Sequence, residues 1–254
     1  MSPELEAALS AARAAGRLQR RRFGRHGSVE LKADDTPVTA VDRDSELIIR
    51  RSLQGVVPGA GFLGEEGEPE LGDGTARWIV DPLDGTKKFV RGLPFFGPCI
   101  ALERDGAIIL GVMHLPALGE TYWAERGGGA CRNGEPIRVS SESRLDRAYV
   151  VQRVEIEFYR KGWAATHEKL IRGTYHNPGF LDLYSYASLA CGRVDAIVDI
   201  AEEPWDIAAA KIIIEEAGGR LSDYINVPTV YADTTLATNG ALHGELLDLL
   251  SSCR

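Results

Sequence analysis

The stretch Trp78-Ile79-Val80-Asp81-Pro82-Leu83-Asp84-Gly85-Thr86 decides how this chain is read. Its apolar run reads as a strand, and it delivers two aspartates, three positions apart, into a tight turn. Pro82 fixes one backbone angle of that turn, and Gly85 permits a close backbone approach to a ligand. Thr86 adds a hydroxyl and an N–H where a helix can begin. Hard divalent cations take several carboxylate and carbonyl oxygens converging on one point, while the N–H groups of a helix start favour an anion such as phosphate. One short segment therefore carries donors for a cation and for a phosphate side by side. The same residues also suit a plain role, since Asp-Gly is a common turn dipeptide and aspartate a common helix cap.

Two other segments bear on the choice. Gly61-Phe62-Leu63 runs into Gly64-Glu65-Glu66-Gly67, again an apolar run ending in acids, although Glu68 and Glu70 extend it as a solvated loop would. Pro204-Trp205-Asp206 opens an alanine- and isoleucine-rich run that closes on Gly218-Gly219. Proline suits the first turn of a helix and glycine its stop, and Asp206 would favour the positive end of the helix dipole.

In order and spacing the three segments resemble the inositol monophosphatase superfamily of magnesium-dependent, lithium-sensitive phosphatases, over nearly the whole chain. The resemblance implies an α/β fold, a five-layer α/β/α/β/α sandwich of the inositol monophosphatase/fructose bisphosphatase type, with the site where two halves meet. Residues 1–140 would form an N-terminal α+β subdomain carrying most of the metal ligands. Residues 141–254 would form a C-terminal α/β subdomain carrying Asp206 and the substrate-facing residues, the join falling at Ser140-Ser141-Glu142-Ser143. Metal ligands carried over by the match are Glu65, Asp81, Asp84, Asp206 and the Leu83 carbonyl, for two or three Mg2+ ions. Four carboxylates on one pocket would repel a phosphate unless cations were present. Thr39-Ala40-Val41-Asp42 resembles the family's Thr-x-x-Asp stretch, so Asp42 is expected to orient the Thr86 hydroxyl and help hold a further ion; a helix N-cap is its other reading.

The implied reaction is phosphomonoester hydrolysis by in-line attack of water, without a covalent enzyme intermediate. Glu65, Thr86 and Asp42 would position and activate the water. The Gly85 and Thr86 N–H groups would hold the phosphate, and Asp84 and Asp206 would sit near the leaving oxygen. His114, His167, His176 and His243 fall in no motif.

For the substrate, Lys87-Lys88-Phe89-Val90-Arg91-Gly92-Leu93-Pro94 and Thr36-Pro37-Val38-Thr39 resemble the histidinol-phosphatase branch. So does Asp182-Leu183-Tyr184-Ser185-Tyr186, although Leu181, Leu183 and Ser185 depart from its pattern. L-histidinol phosphate is the expected substrate, with Asp182 and Asp199 facing its ammonium or imidazole. Asp182 also reads as a helix cap and Asp199 as a strand-end turn. The alternatives are inositol-1-monophosphatase and a broad sugar-phosphate or fructose bisphosphatase activity. From another class, the fold could serve a non-catalytic regulator that uses its basic first helix to bind nucleic acid or protein.

The chain has 254 residues, 44% of them hydrophobic, and a formal net charge of −8, which argues for a small-molecule phosphate ester rather than nucleic acid as partner. No apolar run reaches membrane-spanning length and no signal-peptide core is present, so a cytoplasmic enzyme is expected. Cys99, Cys131, Cys191 and Cys253 have no paired spacing, and Cys99 and Cys191 read as core residues. The resemblance implies a homodimer. Helices are expected at 3–22, 42–53, 163–172, 183–192, from Trp205, and at 241–250. Strands are expected at 28–31, 95–102, 108–114, 121–124, 149–151, 195–200 and 235–238.

Overall fold

The computed structural model describes residues 1–25, 27–31, 37–152, 159–179, 182–200 and 202–251. The loop reading of 32–36, Cys253 and Leu181 lie outside them. The Asp81 segment is a strand, β4 (Ala76–Asp84), and its neighbours form a seven-stranded sheet in the order β3-β4-β5-β6-β7-β8-β9. These are β3 (Gly61–Gly64), β5 (Gly97–Arg104), β6 (Ala107–Leu115), β7 (Glu120–Glu125), β8 (Ala130–Arg132) and β9 (Glu135–Pro136). Only β3 and β4 run parallel, with Gly64 opposite Val80. That pairing brings Glu65 and Asp81, each the next residue along, to the same end of the sheet.

A second sheet has the order β10-β11-β13-β12, from β10 (Val150–Gln152), β11 (Ala196–Ile200), β12 (Arg220–Ser222) and β13 (Thr234–Thr238). A short pair, β1 (Val29–Leu31) and β2 (Pro37–Thr39), precedes both. The helices are α1 (Pro3–Arg22), α2 (Ala40–Leu53), α3 (Thr86–Val90), α4 (Ala164–Gly173), α5 (Leu183–Ala190), α6 (Pro204–Glu216) and α7 (His243–Ser251).

Three cores show why these elements stack in five layers. Side chains alternate across a strand, so β4 sends Trp78 and Val80 one way and Ile79 the other. Trp78 and Val80 join Leu5, Leu9, Ile49 and Leu53 of α1 and α2. Ile79 joins Leu189 of α5, Ile213 of α6, and Ile197 and Ala237 of the smaller sheet. The outer face of that sheet, with Val198 and Leu236, packs on Leu170 of α4 and Leu246 of α7. The expected α/β/α/β/α sandwich is therefore present, and α5 and α6 are the middle layer between the sheets.

Sequence signals held best where the caps are strong. Helix α1 spans its expected residues because Ser2 Oγ accepts from the Leu5 N–H (3.1 Å) and three arginines close the last turn. Helix α2 begins earlier than expected because Thr39, not Asp42, is its cap; Asp42 completes a capping box from the third helical position. Strand β3 matches the short apolar run before Glu65, whereas β8, β9 and β12, two or three residues long and beside glycines, had no sequence signal.

One glycine fixes the place of α6. A Cβ on Gly111 of β6 would lie 2.6 Å from the Ala209 carbonyl oxygen and 2.9 Å from its Cα, so only glycine lets α6 lie this close to the sheet. Gly111→Ala should destabilise the fold by about 1–3 kcal/mol. Because Asp206 is three residues from Ala209, the variant should also weaken divalent-cation binding, as calorimetry on the still-folded protein would register.

Candidate active site

Asp81 and Asp84 would point to opposite faces of a regular strand. They do not here, because β4 bulges between them: Asp81 pairs with Cys99 and Asp84 with Gly97, three residues against two. Pro82 sits in the bulge, where no ladder N–H is needed. The result is that Asp81, Asp84 and the Leu83 backbone line one cavity of about 130 Å3 with Glu65, Gly85, Thr86, Lys87, Lys88, Asp182 and Asp206. The site expected from sequence is thus brought together, apart from two residues.

One is Asp42, which stands behind the cavity wall. Its Oδ1 accepts from the Thr86 hydroxyl (2.7 Å), and its Oδ2 accepts from the Thr39 hydroxyl (2.6 Å) and N–H (2.9 Å). It therefore completes the capping box of α2 and orients Thr86 at once. Thr86 Oγ1 also lies 3.0 Å from the Leu83 carbonyl, but the shorter contact to a carboxylate takes its proton. Toward the cavity, the oxygen of Thr86 is then left to act as an acceptor.

The other is Asp199. It is buried in the middle of β11 and does not line the cavity; its Oδ1 accepts from the Ile200 N–H (2.8 Å), and its backbone carbonyl accepts from Tyr224 (2.9 Å). Asp182 does line the cavity, but not as a side-chain cap of α5. It forms an ion pair with Lys88, and its backbone sits at φ 60°, ψ −163°, a region that side-chain-bearing residues rarely enter. Gly85 occupies the left-handed region at φ 84°, and a Cβ there would lie 2.5 Å from the Phe95 carbonyl oxygen. It heads α3, whose first N–H groups have no helical carbonyl to serve.

Three of the cavity aspartates are anchored by a main-chain N–H. Asp81 accepts from Leu83 (2.8 Å), Asp84 from Leu183 (2.6 Å) and Asp206 from Glu203 (2.9 Å). Burial nevertheless dominates their ionisation. The Asp81 carboxyl is pushed well up by burial and then by the charges of Glu65, Asp84 and Asp206. Asp84 is raised by burial, then by Asp182 and Glu202, and Asp206 by burial, then by Glu202 and Asp84. Glu202 is thus the neighbour that most opposes ionisation of Asp206 after burial itself. Behind them the Cys99 thiol is raised by burial and stays neutral.

Buried, mutually repelling carboxyls stand where a cation would relieve them. The donor set is all oxygen, which suits a hard divalent ion such as Mg2+. Among the described residues no three acidic, histidine or cysteine side chains are already drawn into a finished cage.

Three positioning residues had no sequence signal. Gln19 of α1, fully buried, donates to the Pro82 carbonyl (2.7 Å) and to Ser45 (3.2 Å), bracing the bulge. Glu46 of α2 accepts from the Glu66 N–H (2.9 Å) and from Arg50 (3.0 Å). A Cβ at Gly64 or Gly67 would lie 2.5 Å from a Glu46 carboxylate oxygen, so these glycines exist to let Glu46 under the loop that carries Glu65. Glu202 is the third. Each reads in sequence as an ordinary polar residue.

A family model described as the inositol monophosphatase family matches residues 1–254. The chain belongs to the inositol monophosphatase family. It is 41% identical over 237 residues to the histidinol-phosphatase of Chlorobaculum parvum, covering 88% of this chain and 87% of that one. It is 37% identical over 255 residues to the histidinol-phosphatase of Mycobacterium tuberculosis, covering 98% of both. The crystal structure of the extragenic suppressor protein suhB from Bartonella henselae superposes with a TM-score of 0.92 at 32% identity, over 98% of both chains. The chain is accordingly a phosphatase, a phosphoric monoester hydrolase. Its family is generally Mg2+-dependent. No described helix is long and apolar enough to cross a membrane.

The raised carboxyls fix the sign of a pH effect. A carboxyl raised in the folded state stabilises it below the usual carboxylate range, and that stability is lost as pH rises through the raised value. In EDTA the melting temperature should therefore fall from about pH 4 upward. Added Mg2+ should raise it more at pH 8 than at pH 5, a difference that calorimetric scans at both pH values would reveal. A Mg2+ effect equal at both would mean the buried aspartates are not its ligands.

Proposed function

We propose that this chain is a Mg2+-dependent phosphatase of L-histidinol phosphate. Glu65, Asp81, Asp84, Asp206 and the Leu83 carbonyl would hold the ions. Bound there, the metal would neutralise phosphate charge and make water more acidic. The chain supplies the rest. Asp42 fixes Thr86 so that its hydroxyl oxygen is free to accept a hydrogen bond from the attacking water, and Glu65 stands in the same cavity to hold that water. The N–H groups at Gly85 and Thr86 point to the phosphate position, and the bulge holds Asp81 and Asp84 so that little reorganises during reaction. Such placement is most of what phosphoryl transfer asks of a protein.

The observation that carries the substrate reading is Asp182. It lines the metal-ligand cavity, is held in a strained backbone state, and is paired with Lys88, which belongs to the branch-like segment Lys87–Pro94. A substrate ammonium can take over that ion pair from Lys88. The histidinol-phosphatase names of the two relatives support the same substrate. Asp199, which does not line the cavity, is not part of this proposal.

Three variants test the reading. Asp81→Asn should reduce turnover below about one-hundredth of wild type. It should leave the metal-free melting temperature unchanged or higher, since it removes a buried charge. Asp182→Asn should lower kcat/KM for L-histidinol phosphate by about ten-fold and leave inositol 1-phosphate hydrolysis nearly as it was. Equal losses on both substrates would assign Asp182 to the scaffold instead. Glu46→Gln should raise the Mg2+ concentration for half-maximal activity by about ten-fold, with kcat at saturating Mg2+ retained.

A further inference from the structure

The carboxylate cavity holds five carboxyls against two lysines, Lys87 and Lys88. Four of the carboxyls are the proposed metal ligands. Asp182 is the fifth and is not among them, so a bound cation does not answer its charge. That charge is felt inside the cavity: after burial itself, Asp182 is the neighbour that most opposes ionisation of Asp84, whereas Lys88 favours it. A phosphate brought in beside Asp182 meets the same repulsion. The counter-charge already in place is the Lys88 ammonium, which forms an ion pair with Asp182.

The pair joins a fixed anion to a mobile cation. Asp182 is held at φ 60°, and the N–H of the next residue, Leu183, donates to Asp84 Oδ2 (2.6 Å). The Lys88 ammonium rides on a flexible four-carbon stem from α3 and has no other partner among the described residues. The two side chains are 23% and 18% exposed, so the pair faces the cavity and not the core. An ammonium arriving with a substrate therefore replaces Lys88 without moving Asp182. A substrate that carries no cation leaves the pair closed, and Asp182 stays neutralised.

We propose that Lys88 is a tethered substitute for a substrate ammonium and thereby a specificity-determining residue. It opens the site to phosphate esters that carry no positive charge, alongside those with an amine near the ester. This role rests on the reading of Asp182 as the ammonium site and extends it to the range of esters accepted. Without Lys88 the cavity becomes selective for aminoalkyl phosphates.

The probes are 2-aminoethyl phosphate and 2-hydroxyethyl phosphate, which differ only in ammonium against hydroxyl. Lys88→Met should lower kcat/KM for the hydroxyl ester by about ten-fold, the loss expected for one charge-assisted contact. It should raise kcat/KM for the amino ester by about two- to three-fold, because its ammonium no longer competes with Lys88. Lys88→Arg should keep the hydroxyl ester as a substrate. Calorimetric titration of inorganic phosphate at saturating Mg2+ reads the same charge without turnover. Lys88→Met should weaken phosphate by about ten-fold. The double variant Lys88→Met, Asp182→Asn should bind it as wild type does, because no charge is left to offset. Circular dichroism checks that each variant is folded. Equal losses on the two esters, or a double variant as weak as Lys88→Met, would make Lys88 a phosphate ligand and overturn the proposal. The expected selectivity between the two esters, with no hydrolysis of L-histidinol phosphate, would remove the histidinol reading and leave the role of Lys88 standing.

Discussion

Three aspartates buried against one another are the constraint on which this structure turns. Asp81 and Asp84 are almost wholly out of water, Asp206 is half-buried beside them, and Asp84 and Asp206 both raise the ionisation cost of Asp81. In a low-dielectric cavity like charges cannot all be present without a counter-charge. The fold nevertheless holds them there by three independent means. A bulge turns Asp81 and Asp84 to one side, a glycine lets α6 deliver Asp206, and main-chain N–H groups anchor one oxygen of each. A protein that spends this much stability on repulsion is built to be relieved by a cation, and the same cation makes room for a phosphate.

Helix α2 does much of the positioning. Asp42 and Glu46 are four residues apart and so share a face. Asp42 reaches the Thr86 hydroxyl after β4, and Glu46 reaches the Glu66 N–H after β3. One rigid helix thus sets the relative position of the two loops that bear the site. Because β3 and β4 are parallel, both loops leave the sheet at the same end. Gln19 of α1 adds a third brace at Pro82. Catalytic placement in this phosphatase accordingly lies in the first helical layer as much as in the sheet.

Much of this was legible in the sequence, and the limits have physical causes. The Asp81–Thr86 segment reads correctly because its turn chemistry and its carboxylates are local features. The sandwich follows from the family resemblance, and the cores confirm it through the alternation of Trp78, Ile79 and Val80. Glu46 and Gln19 were invisible because a polar residue on a helix reads as solvent-facing until the neighbouring loop is placed over it. Gly64 and Gly67 looked like flexible loop residues, whereas they clear space for the Glu46 carboxylate. Asp199 was harder to place: it falls on the Ile197 face of β11, toward the middle layer, although it does not line the carboxylate cavity.

The central claim is that the cavity accepts phosphate only through a cation held by its carboxylates. Calorimetric titration of inorganic phosphate into the protein, first in EDTA and then with saturating Mg2+, tests it most directly. The account predicts no measurable heat of binding in EDTA and saturable binding once Mg2+ is present. Phosphate binding of equal strength in both would contradict it.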